Sequence, residues 1–170
     1  MKASVKSVKL ATLTTVILSV GLIMSAGAFA GGTTSLTVNA KISGVCKVTP
    51  PPGTLDFGTS DPSGAVNATA TTTFVMKCTN GVTSTAATDN NGLFFSVTKR
   101  MQHSVTATAF LPYAIAYVND IGFAGAGFAG AAASQTVTIN GTITPAQYAG
   151  ALQTTGAQIY ADTVTITVNP

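Results

Sequence analysis

Polar and apolar residues alternate strictly over residues 34–42 of the chain. Successive side chains of a β-strand point to opposite faces, so this alternation predicts a strand with one buried face. The apolar face consists of Leu36, Val38, Ala40 and Ile42. Thr37, Asn39 and Lys41 form the polar face. A strand near a terminus can complete the sheet of its own domain or that of another molecule.

Strand patterns recur along the rest of the chain and are separated by turn signals such as Asn80-Gly81. The segments predicted as strands include residues 68–78, 93–101, 108–118, 136–143 and 162–168. We expect 108–118 to be buried on both faces and 136–143 to be interrupted at Asn140-Gly141. Residues 121–134 are predicted as a loop or an irregular edge, and residues 145–150 as a loop or a single helical turn. Seven or eight short strands with frequent turns predict an all-β sandwich.

The first thirty residues have the features of a secretory signal peptide. Three lysines within the first nine residues precede an apolar run from about Leu10 to Met24, and Ala28-Phe29-Ala30 offers a cleavage site. The run is shorter than the ~20 apolar residues that a membrane span requires. We therefore predict export with cleavage after Ala30 and no membrane span in the mature chain.

Removal of this segment changes the charge of the protein. The whole chain has a net charge of +3, with 8 lysines and arginines against 5 aspartates and no glutamate. Three of the cations lie in the predicted signal peptide, so the mature chain is about neutral. It offers no basic face for nucleic acid or for anionic lipid.

The chain contains two cysteines, Cys46 and Cys78. An exported protein meets an oxidising compartment, so we predict that the two cysteines form a disulfide. Closing a loop of roughly 30 residues in this way contributes about 3–4 kcal/mol to stability.

The chain has few residues suited to catalysis. His103 is the only histidine, and no G-x-S-x-G nucleophile motif is present. We expect His103 to be an exposed bystander and most of the aspartates to cap turns, with no catalytic site, no cofactor and no metal site. The tyrosines, predicted as core or sheet residues with a sugar site as the alternative, are Tyr113, Tyr117, Tyr148 and Tyr160.

Several motifs, taken in order along the chain, resemble those of one family. The alternating strand is followed by Gly44-Val45-Cys46, and a second strand ends at Cys78. The other motifs are Gly53-Thr54-Leu55-Asp56-Phe57-Gly58, Leu111-Pro112-Tyr113, the stretch 141–147 and the closing stretch 160–168. In this order they resemble the spore coat U domain family, which includes the archaic (Csu-type) chaperone–usher pilins.

The resemblance implies an incomplete immunoglobulin-like β-sandwich that lacks one strand and is completed by donor-strand exchange. It divides the chain into a signal peptide (1–30), an amino-terminal donor strand (31–43) and a pilin domain (44–170). The implied partners are a periplasmic chaperone, an outer-membrane usher and neighbouring copies of the chain in a head-to-tail polymer. Leu36, Val38, Ala40 and Ile42 are the implied donor residues at the interface between subunits.

The function implied by the resemblance is that of a structural, non-enzymatic pilin subunit. Such a subunit is exported through the periplasm to a surface fibre, a pilus, used in adhesion and biofilm formation. An alternative is a secreted monomeric β-sandwich that binds a carbohydrate or surface ligand, with its first strand folded into its own sheet. A secreted hydrolase is a third class, but no catalytic constellation in the sequence supports it.

Overall fold

The computed structural model describes residues 31–130 and 133–170, and the predicted signal peptide, residues 1–30, lies outside the described residues. The described part contains nine strands and one short helix. The strands are β1 (Cys46–Val48), β2 (Ala68–Cys78), β3 (Thr88–Asp89), β4 (Arg100–His103), β5 (Phe110–Pro112), β6 (Ala114–Val118), β7 (Gln135–Ile143), β8 (Tyr160–Ala161) and β9 (Ile166–Thr167), and the helix is α1 (Pro145–Tyr148).

Strands β2 and β7 form the centre of a four-stranded antiparallel sheet with the order β1-β2-β7-β6. Side chains along β2 alternate between the two faces, so that Phe74 and Met76 are buried whereas Thr71 and Thr73 are exposed. Strand β7 alternates in the same way. The sheet therefore has an apolar inner face and a threonine-rich outer face, which suits the strand preference of β-branched residues.

The other strands form two smaller antiparallel sheets, with the orders β5-β4-β8 and β3-β9. Residues 160–169, which we call the carboxyl-terminal strand segment, run along both of these sheets. Its first part pairs with β4 and its later part with β3, and the Thr85 N–H donates to the Asn169 carbonyl oxygen at 3.1 Å. Residues 90–99 therefore separate β3 from β4 although the two strands share one partner segment.

The strand order matches the immunoglobulin constant-type arrangement, in which one sheet is A-B-E-D and the other contains C, F and G. Strands β1, β2, β7 and β6 take the places of A, B, E and D. β3 and β4 share the place of C, and the carboxyl-terminal strand segment takes that of F. No strand in the described part of the chain takes the place of G, so β8 and β9 are edge strands. The predicted all-β, incomplete immunoglobulin-like fold is confirmed.

The core consists of two clusters of buried residues on the inner face of the four-stranded sheet. The first cluster comprises Phe74, Met76, Val137 and Ile139. The second comprises Tyr113, Ile143 and Tyr148. Helix α1 begins with Pro145, and the Thr144 N–H donates to the Gln147 side-chain oxygen at 2.7 Å. This single helical turn, one of the two predicted alternatives, supplies Tyr148 to the second cluster.

Four of the predicted strands differ from the structure. Within the predicted strand 162–168, only Ile166–Thr167 is a strand, β9. The predicted strand 93–101 is wrong over most of its length, because β4 begins only at Arg100. The predicted strand 108–118 is divided at Tyr113, whose N–H donates to the Lys99 carbonyl oxygen, and Ala114, Ala116 and Val118 are exposed. Residues 108–118 are therefore not buried on both faces. Strand β7 continues through Asn140-Gly141, so the predicted interruption there is also wrong.

Candidate strand-acceptor groove

The carboxyl-terminal strand segment has one edge with unpaired backbone groups. The carbonyl oxygens of Thr165 and Asn169 accept hydrogen bonds from backbone N–H groups on the side of β3, each at 3.1 Å. Val164 and Val168 occupy the alternate positions along the segment, so their backbone groups point away from β3. Their backbone N–H and C=O groups make no hydrogen bond with another described residue. An edge of this kind can pair with a further strand.

A second open edge is formed by residues 53–58, which we call the 53–58 segment. The segment is not assigned as a strand, but its side chains alternate, with Leu55 and Phe57 half-buried and Thr54 and Asp56 exposed. The backbone groups of Leu55 and Phe57 make no hydrogen bond within the described part of the chain. The segment thus has the side-chain pattern of a strand without the pairing of one.

Gly141 in β7 allows the 53–58 segment to lie close to the inner face of the sheet. A Cβ atom at this position would lie 2.7 Å from Leu55 Cδ2 and 2.7 Å from Phe57 Cζ. Carbon atoms pack at about 3.5–4.0 Å, so any side chain at position 141 would displace both residues. A glycine inside a strand often marks such a close approach.

The two open edges border one apolar surface. Leu55 packs with Ile166 and Val168 against the first core cluster, and Phe57 packs with Val164 against the second. All five side chains stay partly exposed. We call the surface that they form the acceptor groove. The 53–58 segment runs from the first cluster towards the second, whereas the carboxyl-terminal strand segment runs from the second towards the first.

The predicted donor residues are exposed. Residues 31–45 form neither helix nor strand, and Leu36, Val38 and Ile42 are 85%, 81% and 84% exposed. Ala40 is exposed as well. The single chain therefore leaves this apolar stripe in water, which is unfavourable by about 25 cal/mol for each Å² of apolar surface. Pairing of the stripe with another copy stays a prediction.

The predicted disulfide between Cys46 and Cys78 is present. The two residues lie directly opposite each other in β1 and β2, with a Cα–Cα distance of 4.1 Å. Cys78 is completely buried. The bond therefore fastens the short edge strand β1 to a central strand of the sheet.

Asp162 connects the carboxyl-terminal strand segment with two other parts of the domain. Its carboxylate accepts a hydrogen bond from the Tyr113 hydroxyl at 2.6 Å and another from the Leu93 N–H at 2.8 Å. Burial raises the pKa of Tyr113 above its ordinary value, and the hydrogen bond to Asp162 raises it further. Asp162 therefore holds distant segments of the domain together.

Asp89 has a similar role at the end of β3. Its carboxylate forms an ion pair with Lys99 at 2.9 Å and accepts a hydrogen bond from the Tyr117 hydroxyl at 2.7 Å. Burial raises the pKa of Asp89, but the hydrogen bonds from Lys99 and Tyr117 outweigh this effect and the net pKa lies below its usual range. Burial raises the pKa of Tyr117 above its ordinary value, and the hydrogen bond to Asp89 raises it further.

The remaining tyrosines are also structural. The Tyr148 hydroxyl donates to the Val66 carbonyl oxygen at 2.6 Å. The Tyr160 hydroxyl accepts from the Leu152 N–H at 2.7 Å. The interpretation of the four tyrosines as core or sheet residues is therefore confirmed.

The prediction that His103 is exposed is wrong. Its side chain is only 3% exposed, and its Nδ1 accepts hydrogen bonds from the N–H groups of Val105 and Thr106 at 3.2 and 3.0 Å. The ring packs edge-on against Tyr160. Because β4 runs from Arg100 to His103, His103 shares the inward face with Met101. The alternation of side chains along this strand could have indicated that His103 is buried.

The described residues include no group of three or more histidine, cysteine or acidic side chains arranged to hold a metal ion. No helix in the described ranges is long and apolar enough to cross a membrane.

These features define a class of protein, namely an immunoglobulin-like β-sandwich that lacks its last strand and has an open groove at that position. Residues 32–167 match the family described as the Spore Coat Protein U domain, and the chain belongs to this family. No curated protein matches the chain.

Among solved structures, the chain is similar to one from Acinetobacter baumannii. It is the crystal structure of the CsuC-CsuE chaperone-tip adhesion subunit pre-assembly complex from archaic chaperone-usher Csu pili. The sequence identity is 20%, the TM-score is 0.44, and the match covers 75% of this chain. The chain spans only 40% of the length of that structure's chain.

Proposed function

We propose that the protein is a structural pilin subunit that polymerises by donor-strand complementation into a chaperone–usher surface fibre. The amphipathic strand of one copy, with Leu36, Val38, Ala40 and Ile42, fills the acceptor groove of the next copy. The fibre serves adhesion and biofilm formation at the cell surface, and the subunit has no enzymatic activity. Residues 1–30 act as the signal peptide, and residues 31–43 as the donor strand.

The observation that carries this proposal is the presence, in one chain, of an open groove and of an exposed strand that suits it. The groove has an apolar floor and unpaired backbone groups along both sides. The strand has an apolar face and free backbone groups of its own. Pairing the two satisfies the backbone groups of both partners and removes both apolar surfaces from water.

The head-to-tail arrangement follows from the two surfaces being different. Each copy has one donor strand and one groove, so the contact is heterologous and does not close on itself. The open groove must be covered before assembly, because an exposed edge invites aggregation. We assign this task to a periplasmic chaperone and the exchange of chaperone for donor strand to an outer-membrane usher, in line with the family resemblance.

The proposal is tested by expressing the full chain together with the chaperone and usher of its own system. Deletion of residues 34–42 should leave a soluble chaperone–subunit complex and abolish SDS-resistant multimers. Val38→Asp should have the same effect, because it places a charge in the apolar floor of the groove. Asn39→Asp is the matched control: it adds the same charge on the outer face and should leave the multimers in place.

Two results would overturn the proposal. One is a stable monomer that keeps residues 34–42, needs no chaperone and forms no multimers. The other is an undiminished ladder of multimers after the deletion or after Val38→Asp.

A further inference from the structure

Lys41 stands apart from the other cationic side chains of the described residues. Four of the five have a partner within their own domain, either a carboxylate, a carbonyl oxygen or an aromatic ring; they are Lys47, Lys77, Lys99 and Arg100. Lys41 is exposed and makes no hydrogen bond, ion pair or ring contact with another described residue. It lies on the polar face of the donor strand, between Ala40 and Ile42.

Asp56 is an exposed carboxylate beside the acceptor groove. Its Oδ1 accepts a hydrogen bond from the Gly58 N–H at 2.8 Å. The side chain is exposed, and no described cation pairs with it. It points outward between Leu55 and Phe57, which point into the groove. The groove therefore carries a free negative charge on one rim.

The fold sets the direction of the incoming strand. A strand in the place of G runs antiparallel to F in an immunoglobulin-type sheet. The donor strand therefore runs antiparallel to the carboxyl-terminal strand segment. Because the 53–58 segment also runs antiparallel to that segment, the donor strand and the 53–58 segment run in the same direction.

The apolar residues then select a register. With Ile42 level with Phe57 and Val164, Ala40 lies level with Leu55. This alignment places one apolar donor residue against each part of the groove, since Leu55 packs with Ile166 against the first core cluster and Phe57 packs with Val164 against the second.

Both neighbouring alignments are worse. A shift by two residues in one direction places Ile42 beside Asp162, whose carboxylate is bonded to Tyr113. A shift by two residues in the other direction leaves Phe57 and Val164 uncovered. Shifts by one residue would turn the polar face into the groove.

In the favoured register, Lys41 lies directly beside Asp56 on the outer face. We propose that Lys41 of one copy forms an ion pair with Asp56 of the next copy, and that this pair selects the register and direction of the donor strand. The inference rests on the proposed function and adds a specificity-determining contact to it. Opposite charges on neighbouring strands are favourable and like charges are unfavourable.

A charge exchange within the full chain tests the pair, because every contact in the polymer combines position 41 of one copy with position 56 of the next. Lys41→Asp alone and Asp56→Lys alone each create a like-charge contact. The double variant restores opposite charges in reversed order. Each single variant should accelerate the dissociation of assembled multimers in SDS by about twofold to tenfold, and the double variant should recover most of this loss.

Two controls separate the pair from a general charge effect. Asp61→Lys changes another exposed aspartate that is bonded only to its own turn, and Thr37→Glu adds a charge four residues away on the same polar face. Both should dissociate like the original chain. The yield of the chaperone-bound subunit checks that each variant folds.

Proximity can be measured directly with a zero-length carbodiimide cross-linker on fibres that contain equal amounts of 14N- and 15N-labelled chains. The expected product joins Lys41 to Asp56 in mixed-isotope peptides. The ion pair is overturned if Lys41 is cross-linked only to Asp61. It is also overturned if multimers of the double variant dissociate as fast as those of the single variants. If Val38→Asp fibres also persist, the proposed function fails instead, so the two failures are distinguishable.

Discussion

Removal of the Asp162 carboxylate should destabilise the domain by about 2–4 kcal/mol. The carboxylate accepts the Tyr113 hydroxyl at 2.6 Å and the Leu93 N–H at 2.8 Å. Tyr113 is only 5% exposed, so Asp162→Ala leaves its hydroxyl buried without an acceptor, which costs about 1–3 kcal/mol. The loss of the hydrogen bond from the Leu93 N–H adds only about 0.5–1.5 kcal/mol, because this N–H is exposed and can bind water instead.

A double-mutant cycle isolates the contact between the two side chains. Tyr113→Phe removes only the hydroxyl and should cost about 1–2 kcal/mol, and the coupling energy with Asp162→Ala should be about 1.5–3 kcal/mol. The measurement is urea unfolding of an oxidised variant in which residues 34–42 are transferred, through a short linker, to follow Pro170, so that each copy fills its own groove. Unfolding is followed by far-ultraviolet circular dichroism, since the chain contains no tryptophan. A coupling energy below about 0.5 kcal/mol would refute the assigned role of the bond.

The same bond predicts a pH dependence. The pKa of Tyr113 is raised in the folded state, so the folded chain keeps this proton while the unfolded chain loses it above about pH 10. The contribution of Tyr113 to stability should therefore be constant below pH 10, and stability should fall as the pH rises further. Tyr113→Phe should remove part of this fall, and an unchanged alkaline slope would contradict the argument.

Three further changes have defined outcomes. Reduction of Cys46–Cys78 should lower the free energy of unfolding by about 3–4 kcal/mol; a loss below about 1 kcal/mol in urea unfolding would contradict the assigned role of the disulfide. Asp89 has a folded-state pKa below its usual range, so it stabilises the fold above about pH 4 and loses this contribution at lower pH. Asp89→Asn should therefore reduce the fall in the free energy of unfolding at low pH. An unchanged fall would contradict the assigned role of Asp89. Gly141→Val should displace Leu55 and cost about 1–3 kcal/mol in thermal unfolding, whereas Gly150→Val, with open space around it, should change stability by about 0.5 kcal/mol or less.

The features predicted from sequence are those that depend on local alternation and on composition. Strand β2 and the inward parity of Val164, Ile166 and Val168 follow from the period of two, because one face of the sheet is buried. The disulfide follows from two cysteines in a chain whose sequence predicts export. Both kinds of signal are contained in a few neighbouring residues or in a count.

The features that sequence reasoning missed depend on contacts between distant segments. Gly141 looks like a turn residue next to Asn140, but its role is set by Leu55 and Phe57, more than eighty residues earlier in the chain. The alternation over 93–101 resembles a strand, but only β4, from Arg100 onward, finds partner strands. The burial of His103 was missed because the predicted strand ended at position 101, whereas β4 continues to His103.

The position of the disulfide has a mechanical consequence. In the proposed fibre, tension enters each domain through the backbone just before β1, next to Cys46. The bond to Cys78 passes this load at once into β2, at the centre of the sheet, so β1 cannot be peeled away. The two cysteines are 32 positions apart, which corresponds to about 110 Å of chain when fully extended, and the residues between them cannot be drawn out under load. The fibre is therefore expected to bear force as a series of rigid links that do not lengthen by unravelling from their amino-terminal side.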